Sequence, residues 1–202
     1  MIHRLLALLM ALAMLLTLGG CDKPTEENAP EQVTQTAEAF IKAYYLRDYV
    51  TQFSLCFHDA RKQWEDKAIN DLGSAQNFFA LAQKQADEKG IKVTVDSFDT
   101  YYAAYHQFLL ADVETTYGEH TLTVTATGCT KMEADQLAQF RNELLAGPAK
   151  EYMSTNALKA ITEAYTVAVN IAIDGEKKDY NETYFVYMVN HKGKWLVADH
   201  SS

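Results

Sequence analysis

Positive charge is scarce in this chain. Eighteen Lys and Arg stand against 27 Asp and Glu, a formal net charge of −9 over 202 residues. Phosphate backbones are held by a positive surface, so nucleic acid is excluded as a partner. Cysteine is scarce too: there are three, and no Cys-x-x-Cys pair that would point to zinc. His58, His106, His120, His191 and His200 are scattered, and none stands in a His-Glu-x-x-His or related metal spacing. There is no Gly-x-Ser-x-Gly, no phosphate loop and no Gly-x-Gly-x-x-Gly. No metal, no cofactor and no catalytic residues are therefore expected. Asp96 and Asp99 serve a helix start, where acids favour the dipole. Asp199 and His200 lie at a chain end that frays.

Also missing is an apolar run long enough to span a bilayer, which takes about 20 residues. What is present is shorter. Arg4 gives a positive start, Leu5 to Leu18 are apolar apart from Thr17, and Leu18-Gly19-Gly20-Cys21 closes the run. This has the layout of a secretory signal peptide. The last four residues resemble the lipobox of bacterial lipoproteins. The resemblance implies a diacylglyceryl group on the Cys21 thiol and removal of residues 1–20. It implies a protein held on the extracytoplasmic face of a cell membrane by palmitate-like chains. Asp22 resembles an inner-membrane retention signal of Gram-negative lipoproteins, facing the periplasm; the envelope type stays open. Removal of residues 1–20 takes away Arg4 and no acid, so the charge becomes −10. An acidic surface avoids anionic headgroups, so the lipid must do the anchoring.

Residues 21–31 read as the lipidated Cys and a polar tether. Residues 32–199 suffice for one domain with its own core. Val33, Ala37, Phe40, Ile41, Tyr44 and Tyr45 recur at helical spacing and predict a helix over 31–47. A helical turn is expected over 53–57. Trp64, Ala68 and Leu72 mark a second helix ending at Gly73. Ser74 caps a third, with Phe78, Leu81, Ala82 and Gln85 inward and Gly90 as its stop. Residues 91–95 read as a connection. Over 97–109 a helix, capped by Asp96 or Ser97 and carrying Tyr101, Tyr105, Phe108 and Leu109 on one side, is preferred to a strand. From Leu110 the period changes to two, and Val113, Thr115 and Tyr117 lead through Gly118 into Leu122, Val124 and Ala126 as a hairpin. Thr130 to Glu133 reads as a capping box. It opens a helix with Leu137, Phe140 and Leu144 inward. Gly147-Pro148 breaks it, and a second helix runs to about Ala164, with an interruption at Ser154-Thr155-Asn156 left open. Alternation then predicts strands through Tyr165–Ile173, Tyr184–Val189 and Trp195–Val197. The expected class is α+β: N-terminal helices packed on a curved antiparallel sheet of about five strands, with a helical insert at 131–163.

The run Ala39-Phe40-Ile41-Lys42-Ala43-Tyr44-Tyr45-Leu46-Arg47-Asp48-Tyr49 resembles the first helix and turn of nuclear-transport-factor-2-like (cystatin-like) domains. The run Tyr184-Phe185-Val186-Tyr187-Met188-Val189-Asn190-His191-Lys192-Gly193-Lys194-Trp195-Leu196-Val197 resembles their closing hairpin. With its insert, the pattern is similar to a group of bacterial lipoproteins. The resemblance implies a sheet wrapped around the first helix and a cone-shaped cavity. Some relatives use that cavity as an active site; others only bind or dimerise.

Core-facing aromatics carry two readings: plain packing, or a pocket lined by Phe40, Tyr44, Tyr105, Tyr187 and Trp195. Cys56 and Cys129 carry two as well: a disulfide, since the compartment is oxidising, or two buried thiols. Asn181-Glu182-Thr183 matches a glycosylation acceptor, which a bacterial lipoprotein gives no meaning. The expected function is a non-catalytic lipoprotein that binds a small ligand or an envelope partner. An enzyme using the cavity and an assembly protein acting through the insert are the alternatives.

Overall fold

A computed structural model describes residues 31–202. The expected signal peptide, Cys21 and the expected tether up to residue 30 lie outside the described residues.

Helix α1 spans Glu31–Tyr45 and buries Val33, Ala37, Phe40 and Ile41, the apolar stripe read from the sequence. Arg47 takes a left-handed φ of 53° and ends that stretch. Asp48 then caps α2 (Tyr49–Ser54), accepting from Thr51 N at 3.1 Å. The expected turn at 53–57 thus begins earlier. Residues 55–57 instead run beside the last strand: Phe57 N donates to Val197 O at 2.7 Å, and Val197 N to Leu55 O at 2.8 Å.

Helix α3 (Ala60–Leu72) starts at an Asp59 cap and stops at Gly73, whose φ of 79° suits a residue without Cβ. Ser74 caps α4 (Ala75–Glu88). Its buried stripe is Phe78, Ala82 and Ala86, so Gln85 points outward and Leu81 is 43% exposed, against expectation. The stripe is a narrow i, i+4 row and leaves no room for a second one. Residues 91–95 are a connection, and Ser97 caps α5 with Thr100 as its box partner.

Helix α5 runs through Phe98–Tyr117, which overturns the expected strand from Leu110. Val113 and Tyr117, four apart, fit both periods. Both are buried beside Ile173 as a helical face. The hairpin at Gly118 is therefore a helix-to-strand joint, and the sheet has four strands where about five were expected.

Strand β1 (His120–Lys131) carries a bulge between Ala126 and Gly128. The expected box at Thr130 does not form, because Thr130 stays in the ladder opposite Thr166. The next helix, α6 (Ala134–Ala146), opens instead where Glu133 N donates to Gln136 Oε1 at 2.9 Å. Leu137, Phe140 and Leu144 face inward as read. Pro148 starts a 3-10 turn to Tyr152, and α7 covers only Thr155–Lys159. The second helix is thus interrupted around Ser154, one of the two forms expected, but ends at Lys159, well before Ala164.

Strands β2 (Ala164–Gly175), β3 (Tyr180–His191) and β4 (Lys194–Ser201) complete an antiparallel meander in the order β1-β2-β3-β4. Lys192 and Gly193, at φ 54° and 80°, make the two-residue turn between β3 and β4. Gly175 admits no side chain: a Cβ there would stand 2.6 Å from Lys178 O and 2.8 Å from Tyr117 O.

Three cores result. On one sheet face α1 packs over Val167, Val169, Ile171, Val186 and Met188. On the other, α6 and α7 cover Ala164, Tyr187, Val189 and Ala198. The arm of α2 to α5 has its own core of rings.

Cys56 and Cys129 are free thiols, which corrects the disulfide reading. Cys129 sits in β1 and Cys56 lies beyond β4. Four strand spacings of about 4.8 Å separate those positions along the sheet. A disulfide needs Cα atoms within about 7 Å. Burial pushes the Cys56 thiol up to about 12 and that of Cys129 to about 11, so both stay protonated.

Candidate functional site

The five aromatics expected to line one pocket fall in three places: Phe40, Tyr44 and Trp195 belong to the core under α1, Tyr187 to the opposite face and Tyr105 to the arm. Phe40 and Tyr44 share α1, but the space between that helix and the sheet is filled. The His200 ring lies edge-on to both, with centroids 5.1 and 4.7 Å away, and Phe40 is 1% exposed. Tyr187 faces the other side of the sheet, 5.6 Å from Phe140. Trp195 stands 5.3 Å from Tyr165. Tyr105 belongs to the arm, 5.4 Å from Tyr101. It borders a shallow cleft of about 250 Å³ with Glu88, Lys89, Phe108 and Asp112. Plain packing is the reading that holds for Phe40.

His200 also departs from its expected place. It does not fray with the chain end but is held in β4 opposite Val186. Burial lowers its pKa, with Asp199 opposing. His58, beside Asp59 and Gln63, is lowered by burial as well, again against Asp199. An imidazole packed among rings resists taking a proton, because its charge would have to leave water.

Sequence reasoning missed a cluster at the far end of the same sheet face. On β3, Tyr180, Glu182 and Tyr184 alternate onto one side. Both phenols donate to Glu182 Oε2, Tyr184 at 2.8 Å. Tyr45, from the end of α1, lies 5.8 Å from the Tyr180 ring, and its hydroxyl is 3.5 Å from that of Tyr117 on α5. Tyr44 closes the group, 5.9 Å from Tyr184, with the Arg47 guanidinium 5.1 Å from its ring. The signal was the spacing Tyr-x-Glu-x-Tyr leading into the strand expected from Tyr184, which sets a carboxylate between two phenols once the strand extends back to Tyr180.

Desolvation raises the pKa of Tyr45, Tyr180 and Tyr184, and the Tyr117 hydroxyl adds to it for Tyr45. Their protons therefore stay on at neutral pH. Glu182 acts as the acceptor that satisfies two half-buried hydroxyls, as buried polar groups require. The cluster ties α1, α5 and β3 together at one end of the domain.

Two outer features remain. A cleft of about 300 Å³ on the insert is bordered by Ala138, Arg141, Asn142, Leu145, Leu158 and Lys159, with Leu145 38% exposed. The outward row of β1, Thr121, Thr123, Thr125 and Thr127, lies in solvent. Among the described residues no three His, Cys, Asp or Glu side chains are grouped to hold a metal ion. No described helix is long and apolar enough to cross a membrane. No family model, curated protein or solved structure matches the chain.

Proposed function

We propose that this chain is a lipid-anchored extracytoplasmic lipoprotein whose nuclear-transport-factor-2-like domain binds an envelope protein through its outer surface and performs no catalysis. One observation carries the binding half of this reading: Phe40, Tyr44 and His200 fill the space where the resembling fold has its cavity. Recognition then falls to the outside. The anchor half rests on Leu18-Gly19-Gly20-Cys21. The insert cleft favours the assembly form of this reading. It presents Leu145 between Arg141 and Lys159, two cations on a chain of net −9. An acidic helix with an apolar anchor is the partner that suits it.

Two measurements test the two halves. Cys21→Ala is expected to move the protein from the detergent phase to the aqueous phase; wild type already in the aqueous phase overturns the anchor. A photo-crosslinking side chain at position 145 is expected to give one discrete adduct in cells. The binding half fails if no adduct forms and small-molecule ligands raise the melting temperature instead.

A further inference from the structure

The two edges of the sheet differ. Beyond β4, Leu55, Cys56 and Phe57 run alongside and pair with Val197 at the middle of the edge. Beyond β1, no described segment pairs at all. Bare edges are ordinarily guarded by charge, proline or brevity, since unpaired N–H and C=O groups invite another strand. Strand β1 has twelve residues, and from His120 to Thr130 it carries no Asp, Glu, Lys, Arg or Pro. One guard is present: Ala126 N donates to Glu38 Oε1 at 2.7 Å, so a carboxylate of α1 occupies the ladder at the bulge. Among the described residues nothing pairs with the stretch before it, His120 to Thr125.

We infer that this open stretch of β1 pairs antiparallel with β1 of a second copy of the chain, joining two four-stranded sheets into one of eight. Self-pairing is what the residues fit. Thr121-Leu122-Thr123-Val124-Thr125 reads the same in both directions: hydroxyl, aliphatic, hydroxyl, aliphatic, hydroxyl. A two-fold axis at Thr123 sets Thr121 against Thr125, Thr123 against itself and Leu122 against Val124. Threonine pairs then line the solvent face and aliphatic pairs line the α1 face, both favourable across strands. The Ala126 N–H leaves the ladder toward Glu38, so by the two-residue period those of Val124 and Leu122 face outward too, available to the partner strand. Two copies of net charge −9 repel, and this neutral stretch is where they can meet. Because the two-fold axis sets β1 against β1, the contact is isologous, uses up the edge of both copies and ends at a dimer instead of growing into a fibre.

The test uses the full chain in its membrane, in a Cys56→Ser and Cys129→Ser background. Thr123→Cys places two thiols across the axis, and mild oxidation is expected to give a disulfide-linked species of twice the chain mass. Thr125→Cys, whose partner position is 121, is expected to give little. No dimer from Thr123→Cys, equal linking of both variants, or linkage only to a different polypeptide would each overturn the proposal. In detergent, Thr123→Lys sets two ammonium groups opposite each other and is expected to weaken self-association about tenfold or more, while Thr123→Ser leaves it unchanged. Sedimentation that shows the same self-affinity for Lys and Ser variants also overturns it.

Discussion

Beneath α1, the sheet is sealed by aliphatic side chains: Val167, Val169, Ile171 and Val186 are closed to solvent, with Ile41 and Val33 above them. The arm of α2 to α5 is built otherwise. Its core draws on ten aromatic side chains, from Tyr49 and Phe53 through Trp64 to Phe108, of which six stay partly open to solvent. Ring pairs there meet stacked, tilted and edge-on within one cluster, as for Trp64 against Tyr101, Tyr49 and Phe78. Branched side chains on a hydrogen-bonded ladder have one stiff arrangement each. Rings attract at several angles over 4.5–7 Å, so they tolerate looser helices. The two halves thus reach their stability by different routes, one through register and one through area.

The largest test of that contrast is Phe40→Ala. Removing a ring from a filled site is expected to lower stability by about 3–5 kcal/mol in denaturant unfolding, with the slope unchanged. A matched truncation in the arm, Phe79→Ala at a half-open ring, is expected to lose about 1 kcal/mol. Equal losses would erase the distinction.

Acid should strike the sheet side next. His200, against Phe40 and Tyr44 with Asp199 beside it, and His58, near Asp59, Gln63 and Asp199, both have folded pKa values below the ordinary 6.5. The unfolded chain therefore binds more protons on acidification. Their contribution is complete above about pH 6.5 and is lost as pH falls below that value. His200→Phe should flatten this dependence in a series of melts between pH 5 and pH 8, and an unchanged slope would contradict the assignment.

Within the arm, Tyr102 donates to Glu65 at 3.2 Å. Tyr102→Phe is expected to lower stability by about 1 kcal/mol. Smallest of all is the exposed pair of Lys67 and Asp71 on α3. Lys67→Ala should shift stability by no more than about 0.5 kcal/mol, less still in high salt.

The sequence was most informative where local chemistry and packing agree. Gly73 before Ser74 marked one helix end and the next helix start, and Lys192-Gly193 marked a tight turn; each has the positive φ or the cap that its residues invite. Val33, Ala37, Phe40 and Ile41 form a stripe that fits only a helix. Val113 and Tyr117 fit both periods, and burial against Ile173 chose the helix. Leu81 went astray because helical spacing gives a stripe and not its width. Thr130 satisfied a capping pattern that strand pairing overrode. The pocket failed for a reason no pattern records: His200, at the far end of the chain, supplies the ring that fills it. Glu182 was hidden in a tripeptide that invited another reading, while its two phenols stood two residues to either side.

The pairing of Leu55–Phe57 with Val197 joins segments about 140 residues apart in the chain. Synthesis delivers those segments in order. The stretch that leads into the arm must wait, edge unsatisfied, until Trp195 and Val197 have emerged. Closing so long a loop is slow and comes late. An emerging chain halted at His191 would hold β1 to β3 but leave β3 as a second bare edge and the lead into the arm unfastened. Eight residues of β4 therefore act as a latch, and protease sensitivity between residues 48 and 60 should report whether it has shut.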